Sequence, residues 1–480
     1  MAFKDNREFI DVLRRTGDVI SIKKEVDWDM EAGAISRRVC ELSGPALLFE
    51  KIKDYPEGYR IFAAPVGTYR RVAIALGLPA DTPIKKIYDE YERREEQAIP
   101  PVVVKKGPCK ENIMTGDKVD LYRLPSPMCH DGDGGRYIGT WGFVVCKDPD
   151  SNWTNWGMYR FHVNNQWSLA MSPAPGSNLG MLFRQKFLPQ KKRMPVAAVV
   201  GADPLSSIAA SAGYPVGKSE ADLAGSLQQA PVELVKCETN DLLVPANAEV
   251  VIEGEILPDV SSAEGPFGEY PGYRSMGFEP KLYCRVTAIT HRNAPILTMS
   301  NLGVPPDDSH VGGCLSTAVS VKKRVQRAGI PVVDCYVPPE GAAFMAIVSV
   351  KKGGNDIARQ VGDAIGRRRA WISKIIVVDE DVDVFDMSKV IHAFSVKCHA
   401  TRGIFLKNSA PGSGNPFSPA DSAEEKNKSI SAVAVFDCTW PLEWPQKDIP
   451  IKAAFDVIYT PELRNKVLAN WNAYGLSSIK

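Results

Sequence analysis

A chain of 480 residues is too long for one hydrophobic core and should divide into two or three domains. With 44% hydrophobic and 24% charged residues its composition is that of a soluble globular protein, and a net charge of +1 supplies no global pull toward nucleic acid or membrane. No apolar run reaches the roughly 18 residues that span a bilayer, and the polar start Met-Ala-Phe-Lys-Asp-Asn-Arg-Glu does not read as a signal peptide. Ten cysteines are scattered without a Cys-x-x-Cys pair. Neither a zinc site nor a disulfide framework follows from that spacing, so the thiols are expected as small buried groups in a reducing cytoplasm.

In chain order, Phe9, Val12 and Leu13 at helical spacing predict a helix over 7–15, stopped by Gly17, and residues 18–23 alternate like a strand. A helix over 30–43, a strand over 46–49 and helices over 70–76 and 84–96 follow. Pro100 and Pro101 can continue neither element and close an N-terminal α/β domain, residues 1–101. Strand-like runs then dominate, at 141–146, 194–200, 232–236, 249–253, 283–289 and 295–298, with helical patterns at 178–186, 204–212 and 220–227. This stretch, 102–300, is expected to be a split-β-barrel-like domain. Helices over 313–328 and 355–370 and strands over 332–336, 343–350 and 374–378 give a C-terminal α/β domain, 301–480. It carries a polar, mobile loop over 407–428 and a closing helix over 461–474. The fold class is thus α+β to α/β and multidomain.

Two stretches carry candidate chemistry. In Glu264-Gly-Pro-Phe-Gly-Glu269 the carboxylates are five residues apart and would face opposite ways on a straight strand. Gly265, Pro266 and Gly268 break the strand, and such a bend can aim both carboxylates at one spot. Paired carboxylates do not both ionise cheaply without a cation, so one of them becomes a general acid. Read alone, the stretch is also compatible with a surface turn bearing two solvated glutamates. In Trp153-Thr-Asn-Trp-Gly-Met-Tyr-Arg160, Arg160 offers a planar charged fork suited to two carboxylates, and the Asn155 amide oxygen suits a hard cation. A structural arginine beside an aromatic patch accounts for that stretch equally well. His310, in Asp307-Asp-Ser-His-Val-Gly-Gly313, is either a polar group entering a pocket, suited to a phenolic substrate hydroxyl, or a helix-start residue.

Taken together the two stretches resemble the UbiD family of reversible (de)carboxylases, which use prenylated flavin mononucleotide. The likeness extends to Pro195-Val-Ala-Ala-Val-Val-Gly201, to the run from Glu233 to Glu249, to Glu253-Gly254 and to Val378-Asp-Glu-Asp-Val-Asp383. The resemblance implies that Arg160, Glu264 and Glu269 form a catalytic Glu-Arg-Glu network with Glu269 as proton donor. It implies that Asn155 and Glu220 are ligands of a divalent metal, Mn(2+) or Mg(2+), beside the flavin phosphate, with K(+) nearby. Met158, Tyr159, Arg160 and Ser177 would line the cofactor, and Arg367 would meet its phosphate. Asn178 stands where the family commonly has a histidine ligand, and Lys397 where an arginine is frequent near the metal and potassium sites. The implied function is non-oxidative decarboxylation of an aromatic acid through a covalent flavin adduct, in a cytoplasmic homodimer or higher oligomer supplied with cofactor by a separate flavin prenyltransferase. Val435-Phe-Asp-Cys-Thr-Trp-Pro-Leu-Glu-Trp444 resembles members acting on hydroxybenzoates such as protocatechuate or gallate. The alternatives are a heteroaromatic (indole, pyrrole or furan) carboxylate, or a non-catalytic flavin-binding subunit.

Overall fold

The first helix, Asn6–Thr16, starts where the Asp5 carboxylate accepts the amides of Arg7 and Glu8, and it ends at Gly17, whose φ of 75° suits a residue without Cβ. Phe9, Ile10 and Leu13 form its buried face. It leads into a sheet of Val19–Ile22, Ala46–Phe49, Arg60–Ala63 and Ile296–Met299, in that order. The computed structural model that shows this describes residues 3–174, 176–275, 277–351, 356–366, 371–408 and 414–479. Ile296–Met299 runs parallel to Arg60–Ala63 and not with the central strands, as its position in the chain suggested. All four of its residues are buried, and a strand covered on both faces has no polar alternation to declare its partner.

The central sheet has the hydrogen-bonded order Tyr137–Ile138, Phe161–Asn165, Ser168–Met171, Glu279–His291, Val250–Glu264, Met194–Val200, Gly142–Lys147, Thr154–Gly157, with Asn112–Thr115 also paired to Glu279–His291. Thr154–Gly157 lies at one end of this path and Phe161–Asn165 is next to the other end. Only Met158, Tyr159 and Arg160 connect them, a span of at most about 14 Å. The sheet therefore curls until its two ends approach. Phe161, Leu169 and Met171 from one end accordingly share an interior cluster with Val144 and Cys146 from the other. Among the described residues no ladder closes the curl, so the barrel is split, and residues 158–160 bridge the split. The opposite face of the same strands, with Phe143, Val145, Ala197 and Val199, packs into the main core.

The C-terminal sheet runs Val332–Tyr336, Met345–Val350, Lys374–Asp379, Ala432–Cys438, Ile404–Asn408. Its middle three strands are parallel. Tyr88 of the N-terminal helix Ile84–Glu95 stands edge-on to Tyr336 and Phe385, which joins the first and last regions. The loop expected over 407–428 is shorter. Lys407 and Asn408 end a strand, and Ala423–Lys428 is a helix closed by a Ser422–Glu425 capping box, while 409–413 lie outside the described residues. The expected closing helix is Pro461–Ala469. All ten cysteines are unpaired thiols, nine of them buried. No helix among the described residues is long and apolar enough to cross a membrane.

Trp156 is 2% exposed and stacks on Phe143 with ring centroids 4.7 Å apart, so it anchors the terminal strand that carries Asn155. Trp156→Ala should cost about 3–5 kcal/mol, seen as a lower urea midpoint. An unchanged midpoint would show that the strand is held from elsewhere.

Candidate active site

Glu264 ends the long strand Val250–Glu264, and the chain then turns through Gly265, Pro266, Phe267 and Gly268 to Glu269. Gly265 has φ 88°, a left-handed conformation that favours glycine. Loop 130–137 braces the turn. Gly268 N donates to Asp133 Oδ1 at 3.0 Å, Gly134 N donates to Pro266 O at 2.8 Å, and Gly265 N donates to Tyr137 Oη at 3.2 Å. His130 Nε2 donates to Asn301 Oδ1 and Leu302 O, both at 2.8 Å. A Cβ at Gly268 would come within 2.5 Å of the His130 ring, so this position has no room for a side chain. This brace escaped sequence reading. Its signal was His130-Asp-Gly-Asp-Gly-Gly135, a histidine and two carboxylates in a glycine-rich loop.

The bend brings both carboxylates to Arg160. Arg160 Nε and Nη2 donate to Glu264 Oε1 and Oε2 at 2.7 and 3.0 Å, a bidentate pair, and Nη1 donates to Glu269 Oε1 at 2.5 Å. The guanidinium lies 4.8 Å from the centre of the Phe267 ring. Glu264 and Glu269 are both buried. Burial pushes the Glu269 carboxyl up to about 7, the neighbouring Arg160 charge pulls it down and Glu264 pushes it further up. One cation thus serves two buried carboxylates, and the one held by a single bond is a carboxylic acid near neutrality.

A second cluster forms on the other side of the same linker. Asn155 Nδ2 donates to Glu220 Oε1 and Trp156 N donates to Glu220 Oε2, both at 2.9 Å. Glu220 is the first residue of helix Glu220–Gln228, which Ser219 caps, and its side chain is fully buried. No ion pair reaches it among the described residues, and burial pushes its carboxyl up to about 8. A buried carboxylate without a cation is an expensive arrangement. The Asn155 amide, turned by half a rotation, would present Oδ1 beside it in place of Nδ2. These oxygens fit a hard divalent ion. Asn178 begins helix Asn178–Leu182 under the Ser177 cap and uses Nδ2 on Tyr214 O at 2.8 Å, which leaves its amide oxygen for another role. Tyr159 Oη accepts from Leu179 N at 3.4 Å, tying the linker to that helix start, and Met158 packs against the core. Among the described residues no three His, Cys, Asp or Glu side chains gather as a metal cluster. A metal here must therefore use amide oxygens.

The other expected site residues are placed differently. His310 is 1% exposed, with Nε2 donating to Tyr270 O at 2.6 Å and Nδ1 3.0 Å from Asp307 Oδ1. Nε2 thus grips the backbone after Glu269, and the buried Nδ1 faces Asp307 without a well-formed hydrogen bond, so the imidazole is turned toward protein. Lys397 ends helix Met387–Lys397, pairs with Asp379 and sits 4.8 Å over the Trp440 ring. It lines a cavity of about 830 Å³ in the C-terminal region, which no other predicted site residue lines. Its helix belongs to the C-terminal sheet layer, and its charge is already matched there. Arg367 lies outside the described residues.

Comparison with known proteins accords with this geometry. The 3-octaprenyl-4-hydroxybenzoate carboxy-lyase N-terminal, Rift-related and C-terminal domain models match residues 10–91, 102–305 and 310–438. The chain is 34% identical to the pyrrole-2-carboxylic acid decarboxylase of Pseudomonas aeruginosa over 98% of both chains. The closed form of Sedimentibacter hydroxybenzoicus vanillic acid decarboxylase superposes with a TM-score of 0.88 at 30% identity, over 98% of this chain and 99% of that one. The UbiD-class enzyme HmfF of Pelotomaculum thermopropionicum, in complex with FMN, gives 0.81 at 29% identity over 97% and 100%, and an evolved dimeric form of HmfF is in complex with prFMN. This chain belongs to the UbiD family of carboxy-lyases.

Proposed function

We propose that this enzyme decarboxylates an aromatic carboxylic acid, with hydroxybenzoates as the substrate class, and that Glu269 is its proton donor. The observation that carries the reading is the buried Arg160 fork, closed on Glu264 by two bonds and on Glu269 by one. Prenylated FMN, when bound, supplies the electron sink for the pair left by departing carbon dioxide. Met158, Tyr159, Ser177 and Asn178 would hold it, with Asn155 and Glu220 on a Mn(2+) or Mg(2+) at its phosphate and K(+) nearby. A substrate carboxylate arriving beside the network adds negative charge and favours the protonated form of Glu269. Once that charge leaves as neutral carbon dioxide, Glu269 delivers its proton to the ring carbon, and Arg160 stabilises the carboxylate that remains. Glu264 keeps the guanidinium oriented throughout.

The likeness to vanillic acid decarboxylase supports a hydroxybenzoate. A heteroaromatic acid is the second reading. It is favoured by the burial of His310 and the use of its Nε2 on the Tyr270 carbonyl, which weakens its case as the partner of a phenol, and by the likeness to a pyrrole-2-carboxylic acid decarboxylase. Protocatechuate and pyrrole-2-carboxylate assayed side by side decide between them by kcat/KM. In this reading the enzyme is cytoplasmic, works as a homo-oligomer and receives its cofactor from a separate flavin prenyltransferase.

Glu269→Gln should keep flavin and bind substrate yet lose turnover by about 10²–10⁴-fold, together with exchange of the product's ring hydrogen in deuterated water. Exchange at the parental rate would assign the proton to another group. Because the acid form acts and burial holds that carboxyl at about 7, the rate should be flat below this pH and fall above it.

Glu220→Gln should lower metal and flavin retention together, and full flavin loading after metal loss would show that the metal does not help hold the flavin phosphate. The same group sets a stability slope. Its carboxyl titrates at about 8 when folded against an ordinary 4.5, so between these values the unfolded chain ionises first and stability falls as pH rises. Metal-free protein should therefore be less stable at pH 8 than at pH 5, by on the order of 3–5 kcal/mol at most, read as a lower urea midpoint, and Glu220→Gln should flatten the slope.

A further inference from the structure

The side chain of the residue after Glu269 packs against the C-terminal region. Met345–Val350, Lys374–Asp379 and Ala432–Cys438 are parallel, so the segments leading into them gather at one edge of the C-terminal sheet. That edge encloses Tyr270. Its ring lies nearly parallel to Phe344 and Trp371, with centroids 6.1 and 6.3 Å away, and edge-on to Phe417 at 5.9 Å. Asn415 Nδ2 donates to the phenolic oxygen at 2.7 Å. Burial pushes the phenol above its ordinary range, so it stays neutral.

The backbone of Tyr270 is held as firmly as its ring. Its carbonyl accepts from His310 Nε2 at 2.6 Å. His310 is backed by the buried Asp307, which Ser309 N and Gly303 N fix at 2.9 and 3.2 Å. Glu269 N donates to Tyr273 O and Gly272 N donates to Glu269 O, both at 3.0 Å, so residues 269–273 form one tight turn. The backbone from which the Glu269 side chain reaches Arg160 is therefore fixed by this turn. The proposed chemistry gives the Tyr270 side chain no step of its own.

We infer that Tyr270 is a positioning residue, through which the lead-in segments of the C-terminal sheet hold the Glu269 carboxyl on Arg160. The inference rests on the proposed role of Glu269. A displacement of about 1 Å at a reacting group costs on the order of 10²-fold in rate, and among the described residues Glu269 is tied to Arg160 by one side-chain bond where Glu264 has two. Loosening the cage should therefore slow proton delivery while leaving substrate binding and flavin occupancy in place.

The test uses the full-length chain carrying Tyr270→Ala, Tyr270→Phe or Trp371→Ala. Trp371→Ala removes one cage wall without touching the turn. In flavin-free protein the carboxyl infrared band that disappears in Glu269→Gln reports the titration of Glu269. Tyr270→Ala and Trp371→Ala should each move its midpoint by about half a unit or more, and Tyr270→Phe should leave it in place. In loaded enzyme, ring-hydrogen exchange of the product should fall roughly 10–100-fold in the two alanine variants with KM within about twofold, and Tyr270→Phe should retain the parental rate. Unchanged midpoint and exchange in folded alanine variants would overturn the inference. So would a rise in KM alone, which would make Tyr270 a wall of the substrate site. If Tyr270→Ala does not fold, Trp371→Ala decides the matter. Failure of the Glu269 reading is seen separately, as parental exchange in Glu269→Gln.

Discussion

One guanidinium shared by two buried carboxylates governs this protein. Unit charges 4 Å apart interact by about 4 kcal/mol at an effective dielectric of about 20, so the sign and number of charges around Arg160 decide what each neighbour does. Two bonds tie Arg160 to Glu264 and one ties it to Glu269. In the proposed reaction this asymmetry separates their roles. A carboxylate meeting the whole fork is an orienting group, whereas one meeting a single N–H in a buried setting retains a proton up to about pH 7. Neither role exists without the other residue. Removing Glu264 would free the guanidinium to swing, and removing Glu269 would take away the proposed proton donor.

The curl of the central sheet makes that arrangement possible. A three-residue linker can join opposite ends of an eight-strand path only if those ends meet, and the residues that bridge the gap are Met158, Tyr159 and Arg160. The linker faces two clusters at once. Upstream, Asn155 and Trp156 hold Glu220, and downstream Arg160 holds Glu264 and Glu269. The cluster that lacks a cation and the one that has one are therefore five residues apart in the chain. A hard metal ion at Asn155 and Glu220 would settle the first by charge, as Arg160 settles the second.

Around these two clusters the fold spends its buried polar groups on holding backbone. Asp133, His130 and Tyr137 fix the turn from one side, and His310 with Asp307 fixes it from the other. None of these donates or accepts a proton in the proposed reaction. Their burial costs solvation, and the hydrogen bonds they make return it only because the geometry is tight. The reward is a turn whose carboxylates stand within bonding distance of Arg160.

The sequence by itself determined the local elements and the chemical vocabulary of the site. Helical spacing in Asn6–Thr16, the apolar run in Lys374–Asp379 and the glycine-broken strand at Glu264 all depend on near neighbours, and each was legible. So was the family, from long ordered motifs. The tertiary structure alone decided which elements meet. Ile296–Met299 joined the N-terminal sheet, because a strand buried on both faces carries no mark of its partner. His310 turned to the Tyr270 carbonyl, and Lys397 to Asp379, because a side chain's partner is set by how separate segments pack and not by its sequence neighbours. The capping box at Ser422 and Glu425 was present in the letters, but the surrounding glycines and serines masked it as a loop. Tyr270 shows the division most clearly. Its place beside Glu269 is a fact of the chain, and its cage of Phe344, Trp371, Asn415 and Phe417 is assembled from segments that precede three parallel strands and that only the tertiary structure brings together.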